Sequence, residues 1–484
     1  MSAKSRPDID HVPGEPAKNF FVNMLTRDIE LKDAVLDLLD NCVDGALRTL
    51  SEQTKKKKRT ERTGKPLDKF WAKITLKPDR FVIEDNCGGI PWKLAHDYAF
   101  RMGKPSAFER AEGTIGMVGI GMKRAIFKIG RECFVHSNHE DETFLVTIEP
   151  QWFKENGNWD FPAEREKPHS KNFGTIIEIT QLNEAVAAAF EPGSTFRKDF
   201  LTRIGESYSY LIDKGFSITV NDAPVERKAV KVFFETPTNK PKWGGLIQPY
   251  VFSGRYGDVD VFFAIGYRTS IQTAEEIDAD KEAAFAAKHA GWTVVCNDRV
   301  VVSNDQSILT GWGFGGVPGF HTQFSAIAGI VEFRSENTFD LPLTTTKRGL
   351  ESSKPIYTIV RSRMQEALKY FTRHTNRWKG REEELKDHFR KLEKEAQGYD
   401  LTGLKEMATE VRMSPSANMP GFRVFKPSLP EKGKISSVRR VSFVKPIAEI
   451  TMVSQFLFDE EREASEVGQN CFERTLDEAR SRRR

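Results

Sequence analysis

Residues 26–50 carry two stripes of opposite character at helical spacing, and this pattern restricts how the chain can fold. Apolar residues recur every three or four positions on one face, at Leu31, Val35, Leu38, Cys42 and Ala46. Polar residues recur in the same way on a second face, at Asp37, Asn41, Asp44 and Arg48. The apolar stripe predicts an amphipathic helix that packs on a core. The polar face is then available to carry catalytic or binding residues.

The segments after this helix alternate in the manner of strands. Ile74 and Leu76 alternate with polar neighbours, residues 78–80 turn the chain, and residues 81–83 follow as an apolar run, so a β-hairpin is expected. Further strands are predicted at 132–137, 143–149 and 174–180. Residues 103–121 are glycine-rich and polar, and the segment is too long for a plain connection.

A second region begins near residue 205. Strands are predicted at 216–220, 231–235, 259–267 and 292–302, the last as a hairpin that turns at Asn297-Asp298. A long helix is predicted from Ile356 to Phe371. Its charged continuation, residues 380–396, indicates a short coiled coil or an exposed helix. Residues 411–450 are predicted to be a linker or irregular, and residues 453–479 to be helical.

Composition excludes several classes of protein. With 73 basic and 69 acidic residues the net charge is only +4, which implies no partner by itself. The basic runs at 55–59 and 480–484 fit solvated surface or contact with a polyanion such as DNA. The five cysteines are odd in number and lack metal-ligand spacing, so no disulfide framework or zinc site is expected. Without a signal peptide or a membrane-length apolar run, a cytoplasmic protein is expected.

The polar face of the first helix is a candidate catalytic element. Asp37 and Asn41 lie one turn apart and share a face. A carboxylate can orient and deprotonate a water, and an amide oxygen can ligate Mg²⁺. Taken alone, the same spacing fits a solvated polar face better.

Three glycine-containing segments follow in order. Asp85 ends an apolar strand before Gly88-Gly89, where a carboxylate could accept a hydrogen bond from an adenine amine. Residues 113–123 lead into a predicted helix at 121–129 and could present backbone N–H groups to phosphates. They form no P-loop, because the lysine comes one residue too late and no Ser or Thr follows it. Gly174-Thr175 opens a strand and by itself indicates nothing.

Taken together and in this order, the four segments resemble the GHKL ATPases, and the layout is most similar to MutL- and MORC-like proteins. The resemblance covers about residues 20–180 and implies an α+β fold with a Bergerat-type α/β sandwich. It implies that Asp37 is the hydrolytic residue and that Asn41 binds Mg²⁺. It also implies contacts to ATP from Asn41, Asp44, Asp85, Gly89, Ile90, Gly116, Val118, Gly119, Gly121, Met122, Lys123 and Thr175.

Two positions depart from the family pattern. The hydrolytic residue is usually Glu, and Asp37 is one methylene shorter, which places a base farther from its water. The first glycine of the adenine motif is replaced by Cys87. Since Gly88 and Gly89 follow, adenine binding is expected to survive.

The downstream half resembles the transducer domain of the ribosomal S5-like type that follows the ATPase in this family. In residues 343–349, Lys347 occupies the place of the lysine that contacts the γ-phosphate, so Lys347 is expected to act in catalysis and sensing. The predicted division is a flexible arm at 1–18, the ATP-binding domain at 19–203 and the transducer at 204–375. Residues 376–484 are predicted as a charged helix, a linker and a C-terminal helix without an assigned role.

The function expected from the resemblance is Mg²⁺-dependent ATP hydrolysis that drives conformational change or clamping of a homodimer. The client is left open between DNA and a multi-protein complex. No nuclease metal cluster is present in the sequence, so a partner protein would supply any such activity. The alternatives are a non-hydrolysing ATP-sensing scaffold, because of Asp37, and a GHKL-type protein kinase. The kinase is disfavoured because no phosphoacceptor-histidine helix precedes the ATP site.

Overall fold

The computed structural model describes most of the chain and divides it into two compact units. The described residues are 17–56, 65–102, 120–154, 157–168, 171–236, 245–273, 276, 287–344, 349–417, 419–431 and 443–482. The larger unit is residues 1–431, and the smaller one is residues 432–484.

The first part of the larger unit, here called the first lobe, is built on an eight-stranded sheet. Its strands are β1 (Trp71–Lys77), β2 (Arg80–Asp85), β3 (Gly130–Asn138), β4 (Thr143–Ile148), β5 (Ala163–Glu166), β6 (Gly174–Leu182), β7 (Ser217–Val220) and β8 (Ala223–Pro224). Their order across the sheet is β5-β4-β3-β6-β2-β1-β7-β8, and β1 pairs with β7 in parallel. The helices are α1 (Lys18–Arg27), α2 (Leu31–Lys56), α3 (Trp92–Leu94), α4 (Gly121–Ile129), α5 (Glu184–Phe190), α6 (Thr195–Ser207) and α7 (Ser209–Asp213).

The local patterns of the first lobe mostly formed as expected. The β1–β2 hairpin pairs Leu76 with Phe81, and the three further strands lie where alternation predicted them. The apolar stripe of α2 is buried in the core under the sheet. The prediction of one helix starting at residue 26 was wrong at its beginning. The chain breaks between α1 and α2, and Ile29 between the two helices is buried in the core.

The second lobe of the larger unit has nine described strands, seven in one large sheet and two in a separate small one. Its strands are β9 (Val232–Phe233), β10 (Tyr250–Tyr256), β11 (Val259–Tyr267), β12 (Gly291–Cys296), β13 (Arg299–Asp305), β14 (Ile327–Arg334), β15 (Gly398–Tyr399), β16 (Ser414–Pro415) and β17 (Phe422–Phe425). The sheet order is β13-β12-β14-β11-β10-β17-β16, and β9 pairs separately with β15. The helices are α8 (Pro355–Trp378), α9 (Glu383–Lys394) and α10 (Leu401–Glu410).

Two expectations for the second lobe need correction. Residues 380–396 do not continue α8 as a coiled coil or an exposed helix. The chain breaks at Gly380, where φ is +78°, and α9 then packs its seam of Leu385, Phe389 and Leu392 into the core. The segment predicted as a linker from residue 411 also contributes β16 and β17 to the sheet. The hairpin turn at Asn297-Asp298 is confirmed, with φ of +47° and +68°.

The smaller unit is a pair of helices, α11 (Ile447–Phe458) and α12 (Ala464–Ser481), where one helix at 453–479 was predicted. Ser454 closes the turn between them. Its hydroxyl donates to the carbonyl oxygen of Glu460 and accepts the N–H of Arg462, both at 2.8 Å. Among the residues that the structure describes, no helix is both long and apolar enough to cross a membrane.

Candidate functional site

The polar face of α2 lies along the end of strand β2. Asp37 and Asp44 are buried, at 4% and 9% exposure, and Asn41 between them is exposed. Burial, together with the charge of Asp44, raises the pKa of Tyr98, which places Tyr98 near this face. The three expected residues of α2 therefore share one wall.

The C-terminal half of α2 fixes the loop that follows β2. Arg48 Nη2 donates to the carbonyl oxygen of Gly89 at 2.6 Å, and Thr49 Oγ1 donates to that of Cys87 at 2.8 Å. The loop approaches so closely that a Cβ on Gly45 of α2 would lie 3.1 Å from the Cβ of Cys87. The helix and the loop are thus held as one rigid wall.

Asp85, at the end of β2, is held by neutral donors. The Cys87 N–H donates to Asp85 Oδ1 at 2.7 Å. Burial raises the pKa of Asp85 to about 6, even though hydrogen bonds from the Cys87 N–H, the Cys42 thiol and the Thr175 N–H, and the charge of Arg48, stabilise its charged form. Thr175 reaches Asp85 because β2 and β6 pair these two residues in register. The carboxylate is therefore a poised hydrogen-bond acceptor near neutral pH.

Glycines allow the backbone to close around Asp85. Gly88 and Gly89 have φ of +95° and +70°, and a Cβ on Gly89 would lie 2.2 Å from the carbonyl oxygen of Asn138. A Cβ on Gly174 would lie 1.9 Å from the carbonyl oxygen of Asp85. Only glycine fits these positions. For Gly174 the sequence alone gave no reason, and its close approach to Asp85 supplies one. The Ile90 N–H donates to Ser137 Oγ at 2.7 Å, which ties the loop to β3.

The start of α4 lies against the buried end of the α2 face. A Cβ on Gly121 would lie 3.4 Å from Asp37 Oδ2, so the N-terminus of α4 approaches this carboxylate. Met122 and Lys123 are buried. Lys123 Nζ donates to the carbonyl oxygen of Ala99 at 2.7 Å, and burial lowers the pKa of Lys123 to about 7.

Arg124 is a residue of this site that sequence reasoning missed. Its Nη2 lies 2.7 Å from Asp37 Oδ2, with Asp37 4% and Arg124 18% exposed. Sequence reasoning took Lys123 as the cation here. The available signal was helical geometry, because residue 124 lies one turn after Gly121 and so projects from the same face of α4.

Four of the expected site residues, Gly116, Val118, Gly119 and Lys347, lie outside the described residues. On either side of the segment that contains Lys347, Leu343 pairs with Leu350 as an isolated bridge. The Thr344 N–H also donates to the carbonyl oxygen of Gly349 at 3.1 Å. The described ends of this segment therefore meet just before α8.

The family model described as "Histidine kinase-, DNA gyrase B-, and HSP90-like ATPase" matches residues 29–183. No curated protein matches the chain. The matched range begins just before α2 and ends after β6, so it contains Asp37, Asn41, Asp85, Gly121 and Thr175. The match supports a GHKL-type ATPase domain in this part of the chain, with ATP as its ligand, and it covers nothing of the second lobe.

Proposed function

We propose that residues 29–183 bind Mg²⁺·ATP and hydrolyse it to drive a conformational change. The observation that carries the proposal is the environment of Asp85. The Asp85 carboxylate, whose pKa is about 6, accepts hydrogen bonds from neutral donors. The backbone around it contains positions that only glycine can occupy. Asp37 and Asn41 lie on the neighbouring helix α2. An acceptor in a tight cradle suits the exocyclic amine of adenine.

Each expected residue takes a role in this proposal. Asp85 accepts from the adenine amine, and Asp44, Gly89, Ile90 and Thr175 surround the base. The N-terminus of α4, at Gly121 and Met122, offers backbone N–H groups to phosphates. Gly116, Val118, Gly119 and Lys123 belong to the same phosphate-binding segment.

The exposed amide oxygen of Asn41 fits a hard divalent cation, because it lies on the same helix face as Asp37 and Asp44. Bound there, Mg²⁺ would neutralise phosphate charge. Asp37 is the carboxylate that would orient the attacking water and take its proton. Arg124 holds the Asp37 carboxylate in place and brings a positive charge to the same point.

The finer parts of the proposal concern the rest of the chain. Residues 204–375 would act as an S5-like transducer, with Lys347 reading the γ-phosphate from the segment closed at its ends by Thr344 and Gly349. A MutL- or MORC-like layout would make the protein a cytoplasmic homodimeric clamp. DNA is one client compatible with the basic runs, and a multi-protein complex is the other, with partner proteins supplying any effector chemistry.

A second candidate is an ATP sensor that does not hydrolyse. It is favoured by the Asp37–Arg124 ion pair, because an aspartate is a short base and Arg124 already contacts one of its carboxylate oxygens. In this case the nucleotide alone would order the site, and the change in shape would be the whole output.

The test is steady-state ATPase activity with Mg²⁺ and with EDTA, with and without duplex DNA, alongside binding of ATP. Release of free phosphate that requires Mg²⁺ and is lost in Lys347→Ala supports the ATPase and its sensor. Binding without release supports the ATP sensor. Label transferred from ATP to the protein supports the kinase, and absence of ATP binding overturns the proposal. Stimulation by DNA, falling steeply with salt, would identify the client.

A further inference from the structure

Asp40, on α2, is fully buried, at 0% exposure. The hydroxyl of Tyr208, between α6 and α7, donates to Asp40 Oδ1 at 2.7 Å and lies 3.0 Å from the carbonyl oxygen of Leu36. Asp40 is three residues after Asp37 and directly before Asn41. Any movement of its carboxylate is therefore a movement of the catalytic helix.

The positive partner of Asp40 comes from the second lobe. Arg299 is the first residue of β13, and its Nε lies 2.9 Å from Asp40 Oδ1, with Arg299 3% exposed. Its guanidinium also stacks 4.5 Å from the ring centre of Tyr208. Burial alone would lower the pKa of Arg299, but Asp40 and its neighbours hold that pKa above the usual value. A buried ion pair therefore joins the two lobes.

The turn that carries Arg299 is fixed within the second lobe. Asn297 exchanges two hydrogen bonds with Ser335 after β14, at 2.9 and 3.0 Å. Asp298 binds Arg334 of β14 at 2.5 Å. Arg299 therefore moves with the seven-stranded sheet as one body. Asp298 also reaches Lys214, which follows α7 in the first lobe, through a more exposed contact.

We propose that the Asp40–Arg299 pair, seated on Tyr208, positions α2 according to the placement of the second lobe and so couples that lobe to hydrolysis. This inference rests on the proposed function and concerns the regulation of that same site. The physical reason is the cost of separation. A buried ion pair pulled apart leaves an uncompensated charge on each side, so lobe and helix move together. Nucleotide binding and the placement of the second lobe then both affect the position of α2.

Asp40 and Arg299 are positioning residues, since they act through the placement of α2 and neither is among the expected nucleotide contacts. The test uses Asp40→Asn and Arg299→Lys in the full chain, with Lys214→Met as a matched control. Lys214→Met removes a contact of the same turn that does not involve α2. Three quantities are measured: the Kd of a non-hydrolysable ATP analogue, kcat, and hydrogen exchange of residues 291–305 with and without the analogue.

The expected result is a fall in kcat of at least about tenfold in Asp40→Asn and Arg299→Lys with the Kd changed less than about threefold, since Asp85 is untouched. Protection of residues 291–305 on nucleotide binding should appear in the parent and in Lys214→Met and be absent from both pair variants. A pair with a merely structural role would instead alter Kd and kcat together and leave the nucleotide-dependent protection in place, which would overturn the inference.

Should the single variants unfold, the double variant Asp40→Asn/Arg299→Gln, which leaves no unpaired buried charge, replaces them with the same expectations. A parent protein that binds the analogue but shows no change of exchange in residues 291–305 would overturn this inference while leaving the proposed function intact. A parent that binds no nucleotide would overturn the proposed function as well, so the two failures are distinguishable.

Discussion

The two ends of the candidate site hold their carboxylates in different ways. Asp85 is bound by the N–H groups of Cys87 and Thr175 and by the Cys42 thiol, and burial raises its pKa to about 6. Asp37 is bound by the guanidinium of Arg124 at 2.7 Å. The first arrangement preserves a hydrogen-bond acceptor inside a rigid cradle, and the second supplies a counter-charge beside a helix N-terminus.

This difference indicates a division of labour. A rigid acceptor with neutral partners suits recognition of an uncharged base, because little reorganises when the ligand arrives. A carboxylate with a cationic partner suits a place where phosphate charge comes and goes. Substitutions at the Asp85 end should therefore change binding, and substitutions at the Asp37 end should change turnover.

The largest expected effect is at Asp37. Asp37→Asn keeps the shape but removes the proton acceptor, so kcat should fall about 10²–10⁴-fold while the Kd for ATP changes less than about threefold. Single-turnover hydrolysis and equilibrium binding measure the two quantities. Asp79→Asn, an exposed carboxylate in the β1–β2 turn, is the control and should behave as the parent. Equal turnover in Asp37→Asn and the parent would remove Asp37 from catalysis.

The next effect is at Asp85. Asp85→Asn places an amide donor where an acceptor is needed, so the Kd for ATP should rise about 100-fold, or about 2.7 kcal/mol. Calorimetric titration measures the change. The control is Glu84→Gln, which lies next to Asp85 on β2 but projects to the other face of the sheet. If both variants bind ATP equally well, the adenine end has been placed wrongly.

The glycine cradle should be rigid. Gly89→Ala and Gly193→Ala both put a side chain at positive φ, at +70° and +95°, which costs about 1–2 kcal/mol in either. Only at Gly89 does the new Cβ also meet a backbone oxygen at 2.2 Å, whereas at Gly193 it meets nothing within 4 Å. Gly89→Ala should therefore lower the free energy of unfolding by about 1–3 kcal/mol more than Gly193→Ala. Urea unfolding tests this, and similar losses would show that the cradle yields.

The smallest effect is a pH dependence of binding. Because the ionised Asp85 is the acceptor and its pKa is about 6, affinity for adenosine should be full above pH 7 and fall about tenfold by pH 5. Adenosine is used because it carries no phosphate to titrate. The effect of Asp85 on folding stability runs in the opposite direction. Because the pKa of Asp85 is raised in the folded protein, its contribution stabilises the fold at low pH and is lost as the pH rises through 6. Affinity that is flat from pH 7 to 5 would contradict the role of Asp85.

Local features of the fold could be predicted from the sequence. The Asn297-Asp298 turn and the β1–β2 hairpin follow from residues adjacent in the chain, and both formed as expected. The break at Gly380 could not be predicted in this way. In the sequence, the charged surface of α9 resembles that of a solvated helix. Its apolar seam is buried only because the fold packs it into the core of the second lobe.

The site shows the same limit. Asp37, Asn41 and Asp85 could be proposed from the sequence because they belong to short motifs with a known order. Arg124 and Arg299 were both missed. Helical spacing after Gly121 could have indicated Arg124, but only the folded chain brings Arg299 beside Asp40. The residues that form ion pairs with the carboxylates of α2 come from distant segments of the chain, whereas the motif residues are recognised from their close neighbours in the sequence.

The most direct test of the account is a crystal structure of the protein with Mg²⁺ and a non-hydrolysable ATP analogue. We expect the adenine amine within about 3 Å of the Asp85 carboxylate and the phosphates at the N-terminus of α4, with Mg²⁺ on Asn41. A nucleotide bound elsewhere, or bound with its base away from Asp85, would contradict it.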